Sequence, residues 1–181
     1  MKASNGIFYY IRITGVLLLI CGIIAGLLGV VDSVTKDRIA ENKQKEINEK
    51  ISALFEGEVE KTDVEGSFEE GVNNVWSVQR DGNDLGYCFS VSTRGYGGDI
   101  EMLIGIDPFG SVFGIQIADM SGETAGLGTR IAGASFLSQY NLKTEELAYG
   151  DVDVITGSTV SSKAVTDGVN LALRTFKEVK G

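Results

Sequence analysis

The stretch "DIEMLIGIDPFGSVFGIQI", residues 99–117, decides the fold. Two apolar runs rich in Ile, Val and Phe flank Asp107-Pro108-Phe109-Gly110. Pro at the second turn position has its φ already set, and Gly at the fourth suits a type I turn, so the stretch predicts an antiparallel hairpin. Upstream, "VWSVQR" (75–80) and "LGYCFSVS" (85–92) flank Asp81-Gly82-Asn83-Asp84, small polar residues that favour a turn, and predict a second hairpin. Downstream, "ASFLSQYNL" predicts a short helix and "DVDVI" (151–155) a strand. Residues 162–179 predict a closing helix with Val165, Val169, Leu173 and Phe176 on one side. The expected class is α+β, an antiparallel sheet with flanking helices.

Ahead of these strands, "ITGVLLLICGIIAGLLGVV" (13–31) is nineteen residues without a charge, close to the roughly 20 apolar residues that span a bilayer as a helix. A cleaved signal peptide would have a shorter apolar core, about 7 to 15 residues, ending at a small-x-small site; "VVDSVT" offers none. Gly22 and Gly26 have the spacing that lets two membrane helices approach closely, and glycine is also tolerated in any such helix. Lys2 and Arg12 precede the span, whereas Lys36, Arg38, Lys43 and Lys45 follow it. Taken literally, the positive-inside rule places the following domain in the cytoplasm, although the rule weakens for long translocated domains.

Ile47, Ile51, Leu54 and Phe55 then mark one apolar stripe of a stalk helix, with Gly57 as its stop signal. From Glu56 to Asn74 seven acids stand against one Lys, which suits a solvated connection. The expected organisation is an N-terminal segment 1–12, a transmembrane helix 13–31, a stalk helix 32–56, an acidic connection 57–74 and a sheet domain 75–181.

Composition narrows the chemistry. The chain has 16 Lys and Arg against 25 Asp and Glu, a net charge of −9, and the excess of acids lies beyond residue 50. Nucleic-acid binding depends on basic side chains neutralising phosphates, so no nucleic-acid partner is expected. With no His, the commonest general base and the imidazole metal ligands are missing; Cys21 and Cys88 have no CxxC spacing. No metal site and no catalytic residue is expected.

One stretch stands out, "DVDVITGSTVSSKAV" (151–165), in which Thr156, Ser158, Thr159, Ser161 and Ser162 crowd hydroxyls, with Thr166 just beyond. They fall where a helix is expected to begin, near Ser161 or Ser162. Free backbone N–H groups and the positive end of the helix dipole bind anions there, and Gly157 allows close approach, so a phosphate site is one reading. The other is N-capping, which needs one hydroxyl, supplied by Ser161 or Ser162, and contributes about 0.5 to 2 kcal/mol.

"DVITGST" (153–159), followed by "VSS", resembles the flavinylation signal D-x-x-(S/T)-G-A-T of the FMN-binding domain family. That domain occurs in the G subunit of the Rnf complex and in the C subunit of the sodium-pumping NADH:quinone reductase. Ser158 stands where the family usually has Ala. "GYGGDIEMLIGIDPFGSVFGIQI" is similar to the family's glycine-led hairpin, and "SGETAGLGTRI" resembles its E-T-P-G-L-G segment, with Ala125 in place of Pro.

The resemblance implies FMN esterified through its phosphate to Thr159. It also implies a cofactor-binding set of Thr156, Gly157, Ser158, Val160 and Ser161 around that residue, and Glu123, Thr124, Gly126, Leu127 and Gly128 opposite. A separate flavin transferase, with FAD as donor, would recognise Asp153, Thr156, Gly157 and Thr159. A Thr hydroxyl is a weak nucleophile until a base or metal activates it, which fits outside help. The implied role is an electron-transfer subunit of an Rnf-type ion-translocating ferredoxin:NAD oxidoreductase, with no turnover of its own. Its partners would be the other membrane subunits. It would sit as a single-pass protein in the cell (inner) membrane, its flavin domain extracytoplasmic. The C subunit of the quinone reductase is the alternative within the family. A membrane-anchored, non-redox ligand-binding or assembly module is the alternative outside it.

Overall fold

The structure is a computed structural model, and it describes residues 4–180. The chain parts into two compact units, Met1–Glu46 and Ile47–Gly181. Helix α1 runs from Ser4 to Leu54 without interruption, so the two helices expected at 13–31 and 32–56 are one. Among the described residues it is the one helix long and apolar enough to cross a membrane. No proline or glycine–serine pair interrupts it after residue 31, and nothing in its sequence supplies a stop before Gly57.

The second unit begins with the last turns of α1. Glu56 takes a left-handed conformation (φ 56°), the Gly57 N–H returns to Ser52 O at 2.8 Å, and the Glu56 N–H to Ala53 O at 3.4 Å. That is a Schellman ending, one residue earlier than glycine would normally place it. The Arg80 guanidinium donates to Phe55 O at 2.5 Å and so satisfies a helix-end carbonyl.

Five strands follow: β1 (Glu60–Asp63), β2 (Val72–Arg80), β3 (Asn83–Arg94), β4 (Asp99–Ile106) and β5 (Val112–Asp119). They form one antiparallel meander in the order β1-β2-β3-β4-β5. Both expected hairpins are present. Between β2 and β3, Asp81 (φ 50°) and Gly82 (φ 77°) form a two-residue loop with both φ values positive, as a type I′ turn requires. Between β4 and β5 the Gly110 N–H returns to Asp107 O at 3.0 Å.

Strand β1 lies inside the segment read as a solvated connection. It pairs with β2 from Glu60 opposite Gln79 to Asp63 opposite Trp76, and its acidic side chains face solvent along a sheet edge. Its backbone bonds, rather than burial of its side chains, hold it there, and hydropathy does not register that. Lys61 alone turns inward, its Nζ 4.7 Å from the Trp76 ring centroid, and desolvation lowers its pKa.

After β5 come a 3₁₀ turn (Gly128–Ala132), the short helix α2 (Ala134–Leu137), a second 3₁₀ turn (Ser138–Tyr140) and helix α3 (Thr159–Lys180). The expected strand at 151–155 is not formed. No strand edge is offered to it: the Asp153 backbone pairs instead with the Gln139 side chain, its N–H donating to Oε1 at 2.7 Å and its carbonyl accepting from Nε2 at 3.2 Å. Helix α3 starts at Thr159, two to three residues earlier than expected.

The two faces of the sheet are buried against different helices. Val75, Phe89, Val91, Met102, Ile104 and Ile106 pack with Val165, Val169, Leu173 and Phe176 of α3. On the other face Trp76, Val78, Cys88 and Leu103 pack with Ile51, Leu54 and Phe55. Successive strand residues point to opposite faces, so Cys88 and Phe89 enter different cores. Thr93 Oγ1 donates to Ala164 O at 2.8 Å and fixes α3 along the end of β3.

Cys88 is fully buried, and burial pushes its thiol from the ordinary 9.0 up to about 12, against a smaller downward pull from Lys61. A thiol whose pKa is higher folded than unfolded stabilises fully below pH 9, and that stabilisation is lost as pH rises towards 12. Burial raises the Tyr140 hydroxyl in the same direction. The urea midpoint of the full chain in detergent should therefore fall above pH 9, and Cys88→Ala, less stable at neutrality, should flatten that fall. Equal slopes in the two proteins would contradict the burial.

Candidate functional site

Three segments meet at one end of the sheet. There β3 turns into β4 through residues 95–98, β5 leaves into residues 120–128, and α3 begins. Between them lies a cleft of about 510 Å³, lined by Tyr96, Glu123, Thr124, Leu127, Gly128, Gly157, Ser158, Thr159, Val160 and Ser161.

The cleft is held by Glu123, which is 8% exposed. Its Oε1 accepts from the backbone N–H of Tyr96 at 2.7 Å and of Gly97 at 3.3 Å. Its Oε2 accepts from Ser161 Oγ at 2.7 Å. One carboxylate thus joins all three segments. A Cβ on Gly95 or Gly128 would overlap one of these two oxygens, so the glycines are what make room for it. Both oxygens of Glu123 are occupied by the protein, which makes it a support of the cleft wall. The 120–128 loop is braced internally as well: the Leu127 N–H returns to Thr124 O at 3.2 Å, and the Gly126 N–H donates to Thr129 Oγ1 at 3.0 Å.

On the opposite wall the Ser158 N–H bonds to Ile155 O at 2.9 Å, with Gly157 at φ 82° as the third residue of the turn. A positive φ at that place is what a type II turn demands of glycine. The turn delivers the chain directly into α3, whose first N–H groups have no partner within the helix.

The hydroxyls have separate tasks. Ser161 Oγ donates to Glu123, and Ser162 Oγ accepts from the Ile155 N–H at 3.2 Å, so neither is the expected cap of the first turn. Thr166 Oγ1 shares a 2.8 Å bond with the buried Tyr140 hydroxyl. Thr159 is exposed at the cleft. Ser158 is buried, and its Oγ has no protein partner.

Nine residues named from the sequence line the cleft: Glu123, Thr124, Leu127, Gly128, Gly157, Ser158, Thr159, Val160 and Ser161. Gly126, Thr156 and Asp153 are exposed and are not among the residues that line it. Tyr96 lines the cleft and was not named. The glycine-led hairpin around it was visible, but nothing in sequence spacing brings residue 96 to residue 159. Among the described residues no group of three Asp, Glu or Cys side chains is placed to hold a metal.

Residues 95–174, which include every residue of the cleft wall, match the family model of the FMN-binding domain. The segment is similar to FMN-binding domains. The chain is 34% identical over 122 residues to the G subunit of the Na⁺-translocating ferredoxin:NAD⁺ oxidoreductase complex of Acetobacterium woodii, covering 61% of this chain and 58% of that one. It is 28% identical over 180 residues to the G subunit of the proton-translocating ferredoxin:NAD⁺ oxidoreductase complex of Clostridium ljungdahlii, covering 95% of this chain and 92% of that one. Against the Acetobacterium relative, then, it spans little more than half the length. A crystal structure of the C subunit of the Na⁺-translocating NADH-quinone reductase from Parabacteroides distasonis superposes with a TM-score of 0.48 at 22% identity, covering 60% of this chain and 63% of that one.

The cleft fits FMN on its own terms. Ser158, whose buried hydroxyl has no protein partner, and the first residues of a 22-residue helix line one wall of it, a donor set suited to a phosphate.

Glu123→Ala should leave two backbone donors and Ser161 Oγ without their acceptor, at about 1 to 3 kcal/mol for each donor that stays buried. Glu123→Gln keeps an acceptor and should cost markedly less. Thermal unfolding of the two flavin-free proteins checks the order, and equal losses would mean that the hydrogen bonds of the carboxylate do not support the cleft.

Proposed function

We propose that the chain carries FMN covalently, through a phosphoester on Thr159, as the electron-transfer subunit of an Rnf-type ion-translocating ferredoxin:NAD⁺ oxidoreductase. The observation that carries this reading is the position of Thr159: exposed, on the first turn of α3, facing the 123–128 loop across the cleft of a segment similar to FMN-binding domains. The relatives at 34% and 28% identity are both G subunits of such complexes, which favours Rnf over the quinone reductase. On this reading the protein is a subunit of a membrane complex, anchored by the apolar helix α1 and accompanied by other subunits, as the names of its relatives support.

FMN, when bound, supplies a carrier that passes electrons between donor and acceptor. The chain's own residues position it. The α3 N-terminus and Ser158 would hold the phosphate, and Leu127 and Tyr96 would offer apolar surface to the ring system. Glu123 keeps the walls apart at a fixed distance through its bonds to Tyr96, Gly97 and Ser161.

Attachment needs a transferase. In the proposed step the Thr159 Oγ1–P bond forms as the pyrophosphate bond of FAD breaks, AMP leaves, and the hydroxyl proton passes to a base of the transferase. The chain has no His to serve as that base. Asp153 and Thr156 lie exposed beside Thr159 in sequence, open to recognition by another protein.

Thr159→Val keeps the branched shape and removes the attacking oxygen. Co-expressed with a flavin transferase, the parent should show in-gel fluorescence after denaturation and the variant none, with FMN mass on the peptide of residues 151–174. Fluorescence that persists in the variant, with the mass on Ser158, would move the attachment by one residue. A parent without covalent flavin would leave the non-redox binding module as the better reading.

The flavin domain is proposed to be extracytoplasmic, against the count of basic residues around the span. A cysteine placed at exposed Glu65 should react with an impermeant maleimide on intact cells, while buried Cys88 should not. Labelling only after lysis would place the domain inside.

A further inference from the structure

We propose that Ser158 Oγ is a phosphate-recognition hydroxyl, donating a hydrogen bond to a non-bridging oxygen of the flavin phosphate in the cleft. The inference rests on the FMN reading and adds to it the residue that distinguishes the phosphorylated flavin from the unphosphorylated one.

Ser158 is 5% exposed, and its Oγ has no partner in the protein. It lines the cleft and directly precedes the 22 residues of α3. A serine at this place in a helix ordinarily turns its hydroxyl back to accept from the first turn. Here it does not, and neighbouring hydroxyls do other work: Ser161 donates to Glu123, Ser162 accepts from Ile155, and Thr166 bonds Tyr140. The Ser158 backbone is fully used, its N–H on Ile155 O and its carbonyl on the Ser162 N–H, so the side chain is held in place with its polar end unspent.

A buried hydroxyl without a partner destabilises the ligand-free fold, and an acceptor-only anion at a helix N-terminus is the partner that it lacks. The hydroxyl must then be the donor, because a phosphate oxygen only accepts. The first N–H groups of α3 would share the same phosphate. Riboflavin has no such group and gains nothing from Ser158.

This arrangement sets stability against binding at one residue. Ser158→Ala removes the unpaired group, so the ligand-free protein should melt at a higher temperature. It also removes the donor, so FMN should bind at least tenfold more weakly, the scale of a hydrogen bond to a charged group. The experiment uses the full chain in detergent carrying Thr159→Val, which prevents covalent attachment, with and without Ser158→Ala. FMN and riboflavin are titrated by flavin fluorescence, and inorganic phosphate is tested by its effect on the melting temperature.

The expected result is a loss of FMN affinity with riboflavin affinity unchanged, and a stabilisation by inorganic phosphate that disappears with Ser158→Ala. Equal FMN affinity in the two proteins overturns the assignment while leaving the FMN reading intact. Equal losses for FMN and riboflavin overturn it too, since the hydroxyl would then act on the shape of the cleft. If the Thr159→Val protein binds neither flavin, the Ser158 assignment falls, while the FMN reading stands or falls on the covalent flavin of the parent.

Discussion

The Glu123 carboxylate is the point on which the site depends. Residues 95–98, 120–128 and the start of α3 are loops and a helix end, each with backbone donors that the sheet cannot satisfy. One buried side chain, itself on the second of these segments, accepts from the other two: from the Tyr96 and Gly97 N–H groups and from Ser161 Oγ. Hydrogen bonds to a charged acceptor are about twice as strong as neutral ones, and in a buried setting their geometry is strict. The absence of Cβ atoms at Gly95 and Gly128 is the steric condition for the same arrangement. The negative charge also lies beside the positive end of the α3 dipole, where it is favourable.

That placement has a consequence for anything bound in the cleft. The wall is set before a ligand arrives, so little ordering has to accompany binding. The same helix end serves two anions, the carboxylate permanently and, on the proposed reading, a phosphate beside it. They use different donors: Ser161 is committed to Glu123, whereas Ser158 is uncommitted. The crowding of hydroxyls from Thr156 to Thr166 is thus a division of labour, in which Ser161 positions the wall, Ser162 and Thr166 fix the helix, and Ser158 and Thr159 face the cleft.

The sheet carries this end of the molecule because both of its faces are occupied. Helix α3 covers one, and the last turns of α1 cover the other through Ile51, Leu54 and Phe55, whose ring meets Phe113 edge-on at 4.9 Å. The residues of α1 from Ile47 onward thus form a packed layer of the second unit. On the proposed reading, a covalent tether would suit a cleft whose attachment residue is open to solvent.

By itself the sequence determined the elements whose cause is local. Alternation with Asp107-Pro108-Phe109-Gly110 and Asp81-Gly82 set the two hairpins, nineteen uncharged residues set the apolar helix, and a 3.6-residue period set the buried face of α3. The motif at 153–159 and the segment at 123–128 named most of the cleft wall, because each is contiguous in the chain. Only the tertiary structure decided what depends on distant partners. Strand β1 forms because β2 offers an edge to an acidic segment, and 151–155 stays out of the sheet because the Gln139 side chain takes its backbone bonds. Tyr96 reaches the site, and Glu123 supports it, through contacts across 27 and 38 residues. A hydrogen bond over such separations leaves no period or spacing in the sequence. The same holds for the one hydroxyl left without a partner: Ser158 is distinguished from its neighbours by what the fold has already given to them.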